Sequence, residues 1–258
     1  MTLPLSGADG NRAFRQLVRS PRPILFLDVD GTLAPLADLP ENARAPAATR
    51  DLLQALRPTG ASVVLVSGRA ARDAHRVVGH EFDGILGSHG AELLRESRLA
   101  RWLGGDPALI DDAAEAIIRE MADDWPGVRL EPKGHSIALH HRLSMEEVSR
   151  LLRVVDRALE GSDIVALRGR RVIDVRSRDA DKGAAVLRWL AEEEQGQIPL
   201  SDVLYAGDDT TDEDAFRALG PQAVTVAVGR RPRNARFRTP GPESLARWLR
   251  RLEQARRR

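Results

Sequence analysis

The segment Ile24-Leu25-Phe26-Leu27-Asp28-Val29-Asp30-Gly31-Thr32-Leu33 constrains this chain more than any other. Four apolar residues run straight into two carboxylates two positions apart, and a Gly-Thr pair then breaks the run. A short unbroken apolar stretch of this kind reads as a strand buried on both faces, the central strand of a parallel sheet. In open α/β sheets the chemistry gathers beyond the carboxyl ends of the strands. Asp28 and Asp30 are therefore expected at the mouth of a site, pointing to the same side. Two acids so close repel, and holding both beside a low-dielectric core calls for a cation or a shared proton. Asp-Gly alone is also ordinary turn chemistry, so the rest of the chain has to decide.

A helix over 11–19 should precede this strand, and a Pro- and Ala-rich loop or flap over 33–45 should follow it. Next come an amphipathic helix over 47–56, a buried strand over 61–66 ending in Ser67-Gly68-Arg69, and a helix over 70–78. A short strand near Ile85 and Leu86 is closed by Gly87-Ser88-His89-Gly90-Ala91-Glu92. This βαβαβ grammar is that of a doubly wound parallel sheet. The pattern then changes to a helix over 107–123 and a hairpin, 128–131 with 136–140, around Pro132-Lys133-Gly134. Ser144 and Glu147 form a capping-box pattern for a helix reaching 159. A second hairpin, 164–167 with 172–175, turns at Gly169-Arg170-Arg171. The αββαββ order predicts an inserted α+β domain over 105–178, between core segments 1–104 and 179–258. The first grammar then resumes with a helix over 182–194, a strand over 202–206, a helix over 212–219 and a strand over 223–228. The tail carries eleven arginines from Arg230 onward and a helix over 242–252, read as solvated with a frayed end.

At 258 residues, 42% apolar, the chain suits one large domain or a domain plus an insertion. A formal charge of +1 gives no global argument for a nucleic acid or an anionic membrane as partner. The absence of cysteine excludes disulfides, thiolate catalysis and Cys-type zinc sites. No apolar run reaches the roughly 20 residues needed to span a bilayer, and a soluble cytoplasmic monomer is the expectation. Among the 39 basic residues only Lys133 and Lys182 are lysines. A lysine kept against that bias marks a place where a compact ammonium fits and a planar guanidinium does not, unless the two survive by chance.

Four segments present polar groups at strand ends or a helix start: Asp28/Asp30, Ser67-Gly68-Arg69, Lys182-Gly183, and Gly207-Asp208-Asp209 with the acids that follow. Ser67 alone could cap the next helix, and acids after Gly207 suit a helix N-terminus. Lys182 sits at the wrong helix end for a cation, so an anion should compensate it. Together they make sense as a phosphoryl-transfer site. Asp28 would be the nucleophile, and Mg²⁺ would be held by Asp28, the Asp30 backbone carbonyl and Asp208. Lys182 would counter the remaining charge, Ser67 would bind a phosphoryl oxygen, and Asp30 would serve as acid and then base.

In order, these segments resemble the four motifs of the haloacid dehalogenase (HAD) superfamily phosphatases, and the insertion resembles that superfamily's C2 cap. The resemblance implies a Rossmann-like HAD core. The narrower resemblance is to the trehalose-6-phosphate phosphatase family, carried by Gly207-Asp208-Asp209-Thr210-Thr211-Asp212-Glu213, Ser88-His89-Gly90-Ala91-Glu92 and Glu131-Pro132-Lys133-Gly134-His135-Ser136. It implies hydrolysis of a sugar phosphate through an aspartyl-phosphate, with Gly68, Arg69, Glu131, Lys133 and Asp174 contacting substrate. Asp174 stands where that family usually has Glu. Thr32, Asp209 and Asp212 would support the metal site from behind. Alternatives are a HAD phosphatase for sucrose 6-phosphate or mannosyl-3-phosphoglycerate, a regulatory phospho-acceptor domain, and a binding module without catalysis.

Overall fold

The strand Ile24–Asp28 feeds two cores at once. Leu25 and Leu27 enter one cluster with Val63, Leu65, Leu52 and Trp248, whereas Ile24 and Phe26 enter another with Val64, Val66, Trp189 and Phe216. That double duty explains the unbroken apolar run. The computed structural model describes residues 2–37, 39–80, 82–104, 107–121, 125–169, 171–192, 194–229 and 234–258.

The first part of the chain runs β1 (Leu3–Pro4), α1 (Ala8–Arg19), β2 (Ile24–Asp28), α2 (Ala47–Leu56), β3 (Ser62–Val66), α3 (Ala71–Val78), β4 (Gly84–Gly87), β5 (Glu92–Arg95) and β6 (Arg98–Arg101). The middle part holds α4 (Pro107–Met121), β7 (Arg129–Pro132), β8 (Ser136–His140), α5 (Met145–Ala158), β9 (Ile164–Arg168) and β10 (Val172–Ser177). The last part runs α6 (Lys182–Glu192), β11 (Val203–Gly207), α7 (Asp212–Leu219), β12 (Val224–Val228), β13 (Phe237–Thr239) and α8 (Pro242–Arg256).

First and last parts share a nine-stranded sheet, ordered β1-β13-β12-β11-β2-β3-β4-β5-β6. It is parallel from β1 to β4 and antiparallel at β5 and β6. The expected α/β core is present, with β2 near its centre. The middle part forms an antiparallel four-stranded sheet, β7-β8-β10-β9, whose inner face packs on α4 and α5 through Ile137, Leu139, Ile173, Val175, Ile117 and Leu151. The Ser144 capping box is formed. No helix among the described residues is long and apolar enough to cross a membrane.

Three features depart from the sequence reading. The β5–β6 hairpin was not anticipated, because its turn residues Glu96 and Ser97 carry φ of 49° and 64° without the Gly or Asn that usually signals such a turn. Strands β1 and β13, two and three residues long, are too short to give a period. The arginine-rich tail is not merely solvated: α8 buries Leu245, Trp248, Leu249 and Leu252 and continues to Arg256. The expected insertion boundary at 105, the helix end at 123, Arg170 and tail residues 230–233 lie outside the described residues.

Arg256 gathers carbonyls from distant segments. Nη1 donates to Leu17 O at 2.7 Å, Val18 O at 3.1 Å and Ser20 O at 2.7 Å, and Nη2 donates to Thr59 O at 2.9 Å. A guanidinium there also meets the negative end of α1. Hydrogen bonds to charged groups are worth about 1.5–3 kcal/mol, and a chain of this size loses roughly 2–4 °C per kcal/mol. Arg256→Ala should therefore lower the thermal midpoint by about 5 °C, measured by calorimetry, with Arg258→Ala as the neutral control. Truncation after Leu252 should likewise destabilise the fold, contrary to the reading of the tail as solvated with a frayed end.

Candidate active site

Three strand ends and one helix start converge. Asp28 ends β2, Ser67 follows β3, Asp208 follows β11, and Lys182 opens α6. Lys182 is 3% exposed, and its Nζ donates to Asp28 Oδ1 at 2.7 Å and to Asp212 Oδ1 at 2.8 Å. The cation at the wrong end of a helix thus has two anions to compensate it. Burial alone would push its pKa down; Asp212 and Asp28 override that and hold it above the usual lysine range. Gly183 beside it lets α6 and α7 approach closely, since a Cβ there would stand 2.5 Å from Asp214 O.

Asp212 is fully buried and spends both oxygens on the protein. Oδ1 also accepts from the Tyr205 hydroxyl at 2.8 Å, and Oδ2 accepts from the Asp209 N–H at 3.0 Å. Two glycines make room for carboxylates: a Cβ on Gly31 would stand 2.1 Å from Asp208 Oδ2, and one on Gly207 2.1 Å from Asp212 Cγ. Tyr205, the sole tyrosine of the chain, escaped the sequence reading because it lies inside an apolar strand.

Asp28, Asp208 and Asp212 each offer a carboxylate oxygen within 4.8 Å of the others. Burial first, and then the charge of Asp212, raises Asp28 to about 7 despite Lys182. Burial, followed by the charges of Asp28, Asp212 and Asp209, raises Asp208 to about 9. This crowded, all-oxygen donor set fits a hard divalent cation. With Asp212 engaged elsewhere, Asp28 and Asp208 are the side chains left to hold it. Because both carboxyls tend to keep protons in the metal-free protein, cation binding must release them. Affinity for a divalent cation should rise with pH between about 6 and 9, with proton release seen by calorimetry in buffers of different ionisation enthalpy. A pH-independent affinity would contradict this.

Asp30 meets Arg69 in a two-pronged pair, Nε to Oδ2 at 2.6 Å and Nη2 to Oδ1 at 2.8 Å. Arg69 Nη1 donates to Pro40 O at 2.9 Å and to Asp73 Oδ2 at 2.6 Å. Its donors are therefore directed at protein acceptors: Arg69 clasps Asp30 and the 33–45 segment, where a substrate contact was expected. Ser67 Oγ accepts from the Arg69 N–H at 3.1 Å. It does not cap α3, whose N-cap is Ala70 without a side-chain bond. Glu92 serves that helix end instead, accepting from the Ala71 N–H at 2.6 Å. Thr32 is buried behind the site, with no hydrogen-bond partner for its hydroxyl among the described residues.

Opposite these groups stand residues of the antiparallel sheet. A cavity of about 580 Å³ is lined on one side by Asp28, Asp30, Ser67, Lys182 and Asp208 and on the other by Lys133, His140 and Asp174. Gly68, Arg69, His89 and Asp209 also line it. Glu131 does not. Its Oε2 lies 2.5 Å from His140 Nε2, so it reaches the cavity wall only through that ring. The antiparallel sheet meets the loop after β11 and the start of α7, where the Thr210 hydroxyl donates to Arg168 O at 2.9 Å and Arg176 Nη2 donates to Asp214 Oδ2 at 3.3 Å.

A family model for trehalose-phosphatase matches residues 26–243. A trehalose-phosphate phosphatase of Mycobacterium marinum is 35% identical over 243 residues, spanning 90% of this chain and 62% of that protein. The chain thus spans about three-fifths of that relative's length. The C-terminal domain of a trehalose-6-phosphate phosphatase from C. albicans superposes with a TM-score of 0.85 over 98% of both chains, at 20% identity. A sucrose-phosphatase from Synechocystis superposes with a TM-score of 0.59 at 17% identity over 90% of this chain and 98% of that one. At such identities the superpositions speak for the HAD-type fold. The sequence match spans every strand end of the carboxylate cluster and the wall that faces it, and by it the chain belongs to the trehalose-phosphatase family.

Proposed function

We propose that this chain is a Mg²⁺-dependent phosphatase that hydrolyses trehalose 6-phosphate to trehalose and inorganic phosphate, with residues 105–178 as its cap. The observation that carries the reading is the Lys182 ammonium clamped between Asp28 and Asp212, facing a wall that bears Lys133 and Asp174. An anionic ester and a polyhydroxylated body would find complementary groups on the two sides of one cavity.

Asp28 attacks phosphorus through a carboxylate oxygen; the ester P–O bond breaks as the aspartyl-phosphate forms. Asp30 gives a proton to the leaving sugar oxygen, then takes one from the water that attacks the phosphoryl group and regenerates Asp28. In the structure Arg69 occupies both Asp30 oxygens, so this clasp has to open before Asp30 can carry a proton to or from the reacting oxygens. Two of the three Lys182 donors hold Asp28 and Asp212, which leaves one for a phosphoryl oxygen. Ser67, accepting from Arg69, keeps its own proton to donate to another. Asp28, Asp208 and the Asp30 carbonyl would hold Mg²⁺, which would supply the charge neutralisation a carboxylate needs to approach a phosphate dianion. On the cap side, Lys133 and Asp174 would take sugar hydroxyls, with Glu131 acting through His140.

The deciding experiment is phosphate release from a panel of trehalose 6-phosphate, sucrose 6-phosphate, mannosyl-3-phosphoglycerate and glucose 6-phosphate, with and without Mg²⁺. Trehalose 6-phosphate should be preferred at least tenfold in kcat/KM, and chelation should stop release reversibly. Preference for another member overturns the sugar assignment alone. Phosphorylation of Asp28 that never turns over overturns the enzymatic reading.

A further inference from the structure

The proposed chemistry leaves His89 without a task, yet the structure holds it in the cavity at some cost. Its side chain is 3% exposed, and neither ring nitrogen has a hydrogen-bond partner among the described residues. A buried imidazole left without a partner is costly. Both Ser88 and His89 are left-handed, with φ of 48° and 57°, a conformation uncommon outside Gly, although His, like Asn and Asp, enters it more readily than most side chains. Two backbone bonds impose it by tying this turn to the phosphate-facing loop: Ser88 N–H to Arg69 O at 2.7 Å, and His89 N–H to Ser67 O at 2.9 Å. The Cε1–Nε2 edge of the ring then lies against that loop. A Cβ on Gly68 would stand 2.7 Å from His89 Cε1, which gives Gly68 its purpose.

Across a gap from the ring is Asp174 of β10, with His89 Nε2 at 3.8 Å from Asp174 Oδ1. That is too long for a hydrogen bond and suits one oxygen lying about 2.8 Å from both. Burial, together with Lys182 and Arg176, outweighs the pull of Asp174 and holds His89 below the usual histidine range. The ring is therefore neutral near pH 7, with one N–H to donate. Asp174 is held below the usual carboxylate range: burial opposes this, but the His89 N–H across the gap and the charges of Lys133 and Lys182 prevail. The gap thus presents one donor and one acceptor. A hydroxyl satisfies both, whereas a phosphoryl oxygen only accepts and would be repelled by Asp174.

We infer that His89 is a specificity-determining residue of the core, and that with Asp174 it recognises a single sugar hydroxyl placed between them. The inference rests on the sugar-phosphatase reading above. It makes the selection of the sugar a joint act of both sheets, and it requires the loop that faces the phosphate to position the ring that reads the sugar.

The test is the ratio of kcat/KM for trehalose 6-phosphate to kcat/KM for 4-nitrophenyl phosphate, which carries no sugar. His89→Asn suits the left-handed backbone and removes the ring; His89→Gln serves if that variant fails to fold. The ratio should fall at least tenfold in His89→Asn and in Asp174→Asn. The double variant should fall little further than the worse single one, since both report one shared hydroxyl. A merely structural role lowers both substrates together and leaves the ratio unchanged, which overturns the inference, as does a fully additive double variant. In the unaltered protein, saturating trehalose should shift the His89 imidazole resonance; no shift overturns it as well. Should the wild-type protein prefer another sugar phosphate, the same ratio is taken with that substrate, so the trehalose assignment and the inference fail separately. Inactivity on every sugar phosphate overturns both.

Discussion

Asp28→Asn should abolish phosphate release, by about 10⁴-fold or more, because no second nucleophile replaces the carboxylate that forms the covalent intermediate. The same substitution should leave the fold intact. Asp28 lies in the core with a pKa raised to about 7, first by burial and then by Asp212. Its charge is thus held under protest, and the amide removes a repulsion while Lys182 keeps Asp212 as partner. Thermal unfolding of the metal-free variant should match or exceed that of the parent, and phosphate release should be undetectable in a malachite-green assay. Substantial residual turnover would remove Asp28 from its assigned role.

Lys182→Met should be damaging in both respects. It strands Asp28 and Asp212 without their shared cation, and removing one partner of a buried ion pair costs about 3–5 kcal/mol. At roughly 2–4 °C per kcal/mol for a chain of this size, the midpoint should drop by about 10 °C. The pH dependence has a definite sign. Asp28 is raised to about 7 by burial and then by Asp212, and without the ammonium that opposes this it holds a proton which the unfolded chain has already released above pH 4. Stability must then fall as pH rises, so the defect should be smallest near pH 5 and grow towards pH 9. Asp28→Asn added to Lys182→Met should recover part of the lost stability and none of the activity. If the midpoint of Lys182→Met stays within 2 °C of the parent at pH 8, the buried cluster is not held together as described.

What the sequence disclosed, and what it withheld, follows from where each interaction is written. Asp28, Ser67, Lys182 and Asp208 announce themselves because a polar residue ending an apolar strand, or a lysine opening a helix, conflicts with its local surroundings. The clasp between Arg69 and Asp30 is not written locally: the two lie 39 residues apart, and either reads as a site residue in its own right. Tyr205 is concealed by its apolar neighbours. His89 stands in a motif that was noticed, but its purpose depends on Asp174, supplied by another sheet. Glu131 depends on a neighbour for a related reason. Its own strand offers it to the cavity, and His140 on the next strand intercepts it. Arg256 looked like one charge among many, because the carbonyls it collects come from the opposite end of the chain.

The central strand pairing also orders events during synthesis. Leu25 of β2 lies beside Leu204 of β11, and Phe26 beside Tyr205. Nearly four-fifths of the chain must leave the ribosome before β2 acquires its second neighbour, whereas the antiparallel sheet between them is complete in sequence well before. Non-local parallel pairing of this kind is slow, and waiting strands expose apolar edges. The inserted unit, with its local contacts and its own core, would mature first and stand as a folded bead on an unfinished sheet. Lys182 and Asp208, the groups that make Asp28 useful, arrive with the segments that close that sheet. A nascent chain therefore gains its chemistry and its stability in the same late step.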